Sequence, residues 1–529
     1  MIHFTEKNVV LNNGRVLVDF ELDAFANLQI DVDLELPADL EIVIGEVLGC
    51  GDSINRDPGG FRKVLVLQKS LPAGKSSFAF DIPLHQSPYW HTVTVRTPLE
   101  AGSEVMPFRY VEINGGQGSA KVIRKELYGE FDDSAADFKS SSSNLNRIWD
   151  FCKYTMKATG AFGIYIDGER ERKPYEGDAF TNMLGDLCCG GSSQTAYATL
   201  RWLFNSPTYP TEWQLLAPFL LRDFYLYTGR EQDFKNLLRL LIWNFKRLMQ
   251  DAGSDYLLRD GAAKGDARTS GGGRRDIVDW PISERDGYEF GTVSLVPNAY
   301  WYGALNVMAE LTGEAEYSIW AEKVKAEIFR TMYRPDRGLF VDNPESEHTA
   351  LHSAIFPIYF GLADDIDIEP LKKLIRSKGM ACSVYGAHFL IESCYNCNMS
   401  DWGFELITGD GLRSYNNMLR NGATIAMEAW DNSLKPNQDW NHAWGAAPAN
   451  LIPRCIAGIR PLKPGFAEFA VKPQLADLEF IELKHPTPYG AINLKVKDSQ
   501  ITLTVPEGTK AHFQNMILLA GTHQLEYKK

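Results

Sequence analysis

Carboxylates and arginines crowd one short segment in the first half of the chain. Between Tyr165 and Ala179 the sequence predicts a charged loop, because Pro174 and Gly177 prevent one continuous helix. Its charged residues are Asp167, Glu169, Arg170, Glu171, Arg172, Lys173, Glu176 and Asp178. Such a cluster is usually a solvated surface, but aromatic and small residues interleave with these charges. Carboxylates flanked by arginines can be held ionised or protonated by their neighbours, as acid–base catalysis requires.

A second candidate segment lies some 250 residues later. Glu428 stands in the otherwise apolar stretch Gly422–Trp430, where an unpaired charge would be costly. One interpretation is a structural partner for an arginine or a histidine, and the other is a catalytic carboxylate. His442 follows in an Asn-His-Ala-Trp segment, and by itself it is more typical of a hydrogen-bonded core histidine than of a base.

The elements that would position these segments change character along the chain. Up to about residue 130 the pattern is all-β: Leu28–Leu36 alternates apolar and polar residues, as a half-buried strand does. Gly, Pro and Asp clusters separate further strand-like runs, as in a β-sandwich. These runs are Lys63–Leu67, Ser77–Ile82, His91–Arg96 and Arg109–Ile113.

Helical periodicity takes over after the polar segment Asp132–Ser143. Apolar residues from Phe234 to Met249 predict a helix too hydrophobic to be exposed, and Asn298–Leu311 and Ala315–Tyr333 predict a helical pair. Thr-Gly ends helical patterns at Gly229, Gly313 and Gly409, where glycine can take the left-handed capping conformation. Repeated helical hairpins over about 300 residues favour an (α/α)6 barrel, with an open α-solenoid as the alternative. The long Gly-rich loop Gly261–Gly273 argues against simple repeats.

Strand patterns return at the C-terminus, where Ile492–Lys497 and Ile501–Val505 alternate. The sequence thus predicts a multidomain protein. Residues 1–135 form an N-terminal β-sandwich, residues 136–457 an all-α (α/α)6 barrel with the catalytic site, and residues 458–529 a small C-terminal β-sandwich.

The amino-acid composition restricts the chemical class of the ligand. The net charge of -14 and the pI of about 5.3 argue against nucleic acid and anionic membranes, so a small neutral ligand fits best. The N-terminus carries no secretory pattern and no apolar run approaches the roughly 18 residues of a membrane span, so we expect a cytoplasmic protein. No His/Cys/Asp cluster near either motif has ligand spacing, so we expect neither a metal nor a cofactor.

Together the two segments resemble the α-L-rhamnosidases of glycoside hydrolase family 78. That family carries Arg-Glu-Arg or Arg-Asp-Arg ending in Gly-Asp-Ala, matched here by residues 170–172 and 177–179. It later carries Gly-Ala-Thr-Thr-x-Trp-Glu-x-Trp and then Asn-His, matched by residues 422–424, 428, 430 and 441–442. Ile425 and Met427 depart from the common Thr and Trp, and Asp167-Gly168-Glu169 departs from the usual Asp-Cys-Pro. These departures leave the carboxylates intact and alter neighbours of the sugar.

The resemblance implies an inverting hydrolase that removes terminal α-L-rhamnose from a small neutral glycoside. It implies Glu171 as general acid and Glu428 as general base. Residues that could bind the sugar are Asp167, Arg172, Asp178, Asp279, Trp280, Trp430, Trp440 and His442.

Two rival functions stay open. One is another (α/α)6 glycosidase, such as an unsaturated uronide hydrolase, which calls for an exposed basic subsite. The other is a non-catalytic carbohydrate-binding protein, which predicts a broken carboxylate pair. The aglycone and the linkage are not fixed by the sequence, and a homodimer is allowed.

Overall fold

A computed structural model of the protein describes residues 1–89, 94–259 and 274–526. Seven strands form its N-terminal region. They hydrogen-bond into one sheet in the order β1-β7-β2-β6-β3-β4, with β5 paired to β2. The strands are β1 (Ile2–Asn12), β2 (Arg15–Leu34), β3 (Ala38–Gly45), β4 (Val64–Leu71), β5 (Gly74–Ala79), β6 (Met106–Asn114) and β7 (Gln117–Leu127).

The N-terminal β domain is confirmed, with two corrections. Its strands belong to one continuous sheet rather than two separate ones, because β2 carries a register shift between Asp19 and Ala24 and pairs with three neighbours. The strand predicted at His91–Arg96 lies partly outside the described residues. Its described end forms no strand, since the Val95 amide donates to the Arg172 carbonyl at 2.7 Å.

The central region is helical, as predicted. It opens with a short strand, β8 (Asp137–Ser140), and contains one two-stranded hairpin, β9 (Tyr333–Arg334) with β10 (Leu339–Phe340). The helices are α1 (Ser143–Thr159), α2 (Glu176–Cys189), α3 (Ser193–Asn205), α4 (Thr211–Gln214), α5 (Ala217–Thr228), α6 (Glu231–Asp251), α7 (Leu295–Thr312), α8 (Ala315–Met332), α9 (His352–Tyr359), α10 (Glu369–Lys378), α11 (Val384–Asn396), α12 (Ser400–Thr408), α13 (Tyr415–Arg420) and α14 (Pro448–Leu451). Their closure into an (α/α)6 barrel stays a prediction.

Two helical details differ from the sequence prediction. Helix α6 buries a single stripe, Leu237, Leu241, Phe245 and Leu248, while Trp243 faces solvent, so α6 is not fully enclosed. Gly229 and Gly313 end α5 and α7 in the left-handed conformation as predicted, with φ of 66° and 72°. Gly409 does not, because its φ is -58° and the chain leaves α12 extended.

The C-terminal region forms two sheets. One has the order β11-β12-β16-β17 and the other β18-β15-β14-β13-β8, so the second borrows its edge strand from the start of the helical region. The strands are β11 (Ile459–Pro461), β12 (Glu468–Val471), β13 (Phe480–His485), β14 (Ile492–Lys497), β15 (Gln500–Val505), β16 (Lys510–Phe513), β17 (Met516–Leu518) and β18 (Gly521–Glu526). One apolar core runs through the helical and C-terminal regions.

In the described part of the chain, no helix is both long enough and apolar enough to cross a membrane. The predicted loop Gly261–Gly273 lies outside the described residues.

Candidate active site

The charged loop closes on itself before helix α2 begins. The Asp167 amide donates to the Lys173 carbonyl, and the Lys173 amide donates back to the Asp167 carboxylate, each at 2.9 Å. Gly168 has a φ of 129°, and a Cβ there would lie 2.5 Å from an Asp439 carboxylate oxygen. The loop therefore needs glycine at this point to approach the second segment.

Glu428 is held by hydrogen bonds between two irregular segments of the chain. Its amide donates to the Asp439 carbonyl at 3.2 Å, and the His442 amide donates to the Ala426 carbonyl at 2.8 Å. The Trp444 indole donates to the Glu428 carbonyl at 2.9 Å. The backbone is thus fixed on both sides, and the carboxylate is 1% exposed.

Arg170 joins the two segments. Its guanidinium binds Glu428 in bidentate fashion, with Nη1 and Nη2 at 2.5 and 2.8 Å from the two carboxylate oxygens. The same Nη2 atom lies 3.6 Å from Oε1 of Glu171. The nearest oxygens of Glu171 and Glu428 are therefore separated by no more than the sum of 2.8 and 3.6 Å. Residues 171 and 428 share one site.

The electrostatics of the site divide its carboxyls into two kinds. Burial acts to raise the pKa of Glu428, but Arg170, His442 and Lys435 outweigh it and lower that pKa to about 2. Burial raises the pKa of Asp439 to about 6, against the opposing charge of Arg170. Glu428 is therefore ionised at neutral pH, and its neighbour Asp439 holds a proton far more readily than an exposed aspartate.

Asp167 is the second proton-retaining carboxyl. Burial, and then the charge of Glu171, raise its pKa well above the ordinary value for aspartate, against Arg170. Asp167 therefore holds a proton more readily than an exposed aspartate does.

Aromatic rings support Glu171 from the other side. The Tyr175 hydroxyl donates to Oε2 of Glu171 at 2.6 Å, and the Tyr175 ring packs edge-on against Trp213. Gly177, in the first turn of α2, lies under the same indole, and a Cβ there would come within 2.7 Å of it. Glu171 is 8% exposed, more than Glu428.

His442 and Asp178 form a third part of the site. Nε2 of His442 lies 2.6 Å from an Asp178 carboxylate oxygen, and the imidazole packs against Trp444. Among the described residues, no protein group bonds to Nδ1 of His442, the Trp213 indole nitrogen or Oδ1 of Asp439. Buried polar atoms usually bond to protein, water or ligand, so these atoms are candidates for contacts with a substrate.

Two other residues predicted to bind sugar form hydrogen bonds with protein groups. The fully buried Arg172 guanidinium donates to Glu169, Glu104, Thr97 and the Val105 carbonyl, so it ties the charged loop to the N-terminal domain. Trp430 is also fully buried, and its indole donates to the Cys382 carbonyl at 2.8 Å. Both side chains therefore have protein partners, and their direct contact with sugar stays a prediction.

Asp279, Trp280 and Trp440 complete the predicted set. Asp279 is fully buried and accepts hydrogen bonds from His352 at 2.8 Å and from the Ser383 amide at 2.9 Å, which occupies its carboxylate. Trp440 is almost fully buried beneath the Arg62 guanidinium. Trp280 alone of these three remains partly exposed.

The sequence prediction missed several site residues. Arg170, Tyr175 and Asp439 contact or flank the two glutamates, and Trp213 forms the wall behind Tyr175. Arg170 belongs to the recognised Arg-Glu-Arg motif, so the signal was present. The direction in which each arginine of that motif points could not be read from it.

A comparison with family models identifies two segments of the chain. The bacterial alpha-L-rhamnosidase 6 hairpin glycosidase domain matches residues 133–456, and the bacterial alpha-L-rhamnosidase C-terminal domain matches residues 458–519. No curated protein matches the chain.

Solved rhamnosidases share the fold at low identity. The family 78 rhamnosidase of Bacillus sp. GL1 is 16% identical with a TM-score of 0.71, over 94% of this chain and 54% of that chain. The Aspergillus terreus α-L-rhamnosidase is 15% identical with a TM-score of 0.73, over 99% and 63%. The Streptomyces avermitilis enzyme, complexed with L-rhamnose, is 15% identical with a TM-score of 0.69, over 97% and 50%. The chain thus spans between 50% and 63% of the length of these proteins.

Proposed function

The chain belongs to the bacterial α-L-rhamnosidase family, and on this basis we propose that it hydrolyses terminal α-L-rhamnosides with inversion at the anomeric carbon. Glu171 is the general acid and Glu428 is the general base. The observation that carries the proposal is the Arg170 guanidinium, which contacts both carboxylates across one site. We also propose that the helices of the central region close into an (α/α)6 barrel.

The distance between the glutamates supports a two-carboxylate mechanism. Inverting glycosidases hold their carboxyls about 6.5–9.5 Å apart, with the attacking water beside the base. The bound set by Arg170 puts the nearest oxygens of Glu171 and Glu428 just below the lower limit of that range, so the two carboxyls are close enough to act on one glycosidic bond. A separation far beyond that range would have removed the assignment.

The charge states support the division of roles. Glu428, with a pKa lowered to about 2, is ionised as a general base must be. Such a carboxylate is a weak base, but it acts on a water that becomes strongly acidic as it bonds to an oxocarbenium-like centre. Glu171 is the more exposed of the two glutamates, which suits a proton donor to the departing glycosidic oxygen.

The remaining polar groups suit the hydroxyls of a neutral sugar. We assign the Asp178–His442 pair and Asp167 to hydroxyl binding, because carboxylates accept from vicinal hydroxyls and His442 keeps one nitrogen without a protein partner. Trp280, which is partly exposed, provides an aromatic face.

Activity on a panel of aryl glycosides tests the substrate. We expect hydrolysis of the α-L-rhamnoside in preference to the β-D-glucuronide and the α-D-glucoside. Absence of hydrolysis of the rhamnoside would contradict the proposal, and preference for the glucuronide would favour the uronide hydrolase.

Leaving-group dependence tests the two roles. Glu171→Gln should slow a rhamnoside with a poor leaving group by about 10²–10⁴-fold and an activated aryl rhamnoside less. Glu428→Gln should slow both substrates alike, and azide should partly rescue Glu428→Ala. Glu176→Gln is the matched control, because Glu176 lies in the same segment but bonds to Thr208. Reversed patterns at residues 171 and 428 would exchange their roles.

A further inference from the structure

A loop of the N-terminal domain reaches the charged loop of the active site. It joins β3 to β4, and its last residues carry the contacts. The centroid of the Phe61 ring lies 5.6 Å from the guanidinium carbon of Arg170, and Nζ of Lys63 lies 3.8 Å from Oε1 of Glu169. The N-terminal domain therefore contacts the arginine that joins the two proposed catalytic glutamates.

The same loop approaches the Glu428 segment so closely that position 60 needs glycine. Gly60 has a φ of 61°, and a Cβ there would lie 2.7 Å from the Pro436 carbonyl oxygen and 3.0 Å from the Gln438 carbonyl oxygen. Both oxygens belong to the backbone, so they cannot move aside as the end of a flexible side chain could. The shape of the loop is therefore matched to the segment that follows the proposed base.

Arg62 is joined to the backbone beside Glu428 by a chain of hydrogen bonds. Nη1 of Arg62 donates to Oδ1 of Asn432 at 2.5 Å, and the guanidinium lies 5.3 Å from the centroid of the Trp440 ring. The Gln438 side chain donates to the same Asn432 oxygen at 2.9 Å and accepts from the Ala429 amide at 2.8 Å. Because residue 429 follows the proposed base directly, Arg62 helps to hold the backbone that carries that base.

Phe61 restrains the guanidinium that binds Glu428. A cation within about 6 Å of an aromatic centroid is attracted to the face of the ring. The terminal nitrogens of Arg170 bind the Glu428 carboxylate at 2.5 and 2.8 Å, whereas Nε of Arg170 bonds to no protein group in the described part of the chain. Packing against Phe61 therefore adds to the restraint that hydrogen bonds give only at the far end of the side chain.

We propose that Phe61 and Arg62 are positioning residues of the reaction, through which the N-terminal domain holds Arg170 and Glu428 in the arrangement that activates water. The inference rests on the proposed function, in which Glu428 is the general base. Neither side chain makes or breaks a bond. Phe61 acts through Arg170, and Arg62 acts through its chain of hydrogen bonds, so full activity depends on the N-terminal domain.

Phe61 variants test the aromatic contact. Phe61→Leu should lower kcat on an activated aryl rhamnoside about 2- to 30-fold with little change in KM, the fold-change that corresponds to one cation–π contact. Phe61→Tyr keeps the aromatic face and should keep most of kcat. Phe78→Leu is the control, because Phe78 makes the same kind of contact with Lys69 inside the N-terminal sheet, at 5.7 Å, and it should leave kcat unchanged.

Arginine variants test the chain of hydrogen bonds. Arg62→Met should lower kcat about 10-fold, because a hydrogen bond from a charged group is lost. Arg56→Met is the control, since Arg56 lies in the same loop but pairs with Glu41 and Glu112 of the N-terminal domain. It should leave kcat and KM unchanged.

A double variant shows whether Phe61 acts through the base. Added to Glu428→Gln, Phe61→Leu should lower the residual rate no further, because the group that it positions has already lost its function. A residue with only a structural role would slow wild type and Glu428→Gln by the same factor.

Melting temperatures test the contact without activity. Phe61→Leu should lower the melting temperature of wild type more than that of Arg170→Met, where the guanidinium is absent. Phe78→Leu should lower both by the same amount. Equal losses from Phe61→Leu in the two backgrounds would mean that Phe61 does not restrain Arg170.

The outcomes separate this inference from the proposed function. If wild type cleaves no rhamnoside, the proposed function fails, and the melting temperatures still decide whether Phe61 restrains Arg170. If wild type cleaves the rhamnoside while Phe61→Leu and Arg62→Met keep its kcat, the proposed function stands and the positioning role is wrong. Equal slowing of wild type and Glu428→Gln by Phe61→Leu would also overturn that role.

Discussion

Replacing Arg170 should change the pH dependence of catalysis more than any other single substitution at the site. Arg170 contributes the largest of the opposing charges that hold the pKa of Glu428 at about 2 rather than the ordinary 4.5. At about 1.4 kcal/mol per pKa unit, that difference corresponds to about 3 kcal/mol. Arg170→Met leaves the buried carboxylate without its bidentate partner, so burial should raise its pKa above 4.5.

Activity at low pH measures the effect. In the wild type, Glu428 stays ionised down to about pH 2, so its titration should not reduce kcat/KM on an aryl rhamnoside between pH 4 and 6. In Arg170→Met, the acidic limb should move upward, and activity at pH 4 should fall relative to pH 6.5. Arg170→Lys keeps the charge but loses the bidentate geometry, so its limb should lie in between.

The folding stability of the protein should depend on the ionisation of Glu428 in the same direction as activity does. A carboxylate whose pKa is lowered by folding stabilises the protein above its unfolded value near 4.5, and that stabilisation is lost as pH falls towards 2. Arg170→Met should therefore lower the melting temperature at pH 7, since breaking a buried pair costs about 3–5 kcal/mol. Arg172→Lys is the control for the acidic limb, because Arg172 pairs with Glu169 and Glu104 and not with Glu428; it should lower the melting temperature but leave the limb in place. An acidic limb that stays in place in Arg170→Met would refute the reasoning.

Three further outcomes can be measured. Gly177→Ala puts a Cβ within 2.7 Å of the Trp213 indole, so it should lower stability by about 1–3 kcal/mol and also lower kcat. Gly411→Ala is the control, because a Cβ there meets nothing within 4 Å, and it should change neither stability nor kcat. Tyr175→Phe removes the hydrogen bond to Glu171 and should lower kcat about 10-fold with little change in melting temperature; an unchanged kcat would contradict a role for that bond. EDTA should leave activity unchanged, and loss of activity that a divalent ion restores would show that the reaction needs a metal.

Periodic patterns predicted the architecture because they record which face of an element is buried. The alternation at Leu28–Leu34 became the inner face of β2, and Gly229 and Gly313 cap their helices as the Thr-Gly pairs indicated. Pairing between distant segments left no such pattern. Strand β8 pairs with β13 of the C-terminal sheet, and the sequence of neither strand indicates that pairing.

The sequence predicted that the two charged segments lie together, but not how their side chains are oriented. The charged loop and the Glu428 segment do meet, because Arg170 bonds across 258 positions of the chain. The sequence could not tell which arginine of the motif turns inward, and Arg172 in fact ties the loop to the N-terminal domain. The Asp279 carboxylate accepts from the Ser383 amide, and the Trp430 indole donates to the Cys382 carbonyl. The sequence did not show these partners.

The stereochemistry of hydrolysis tests the central claim most directly. Proton NMR of the first minutes of reaction on an aryl α-L-rhamnoside reports which anomer of the sugar is released before mutarotation. Two opposed glutamates acting as acid and base, with water as the attacking group, predict β-L-rhamnose as the first product. Release of α-L-rhamnose would mean that one carboxylate is a nucleophile, and would contradict the roles assigned to Glu171 and Glu428.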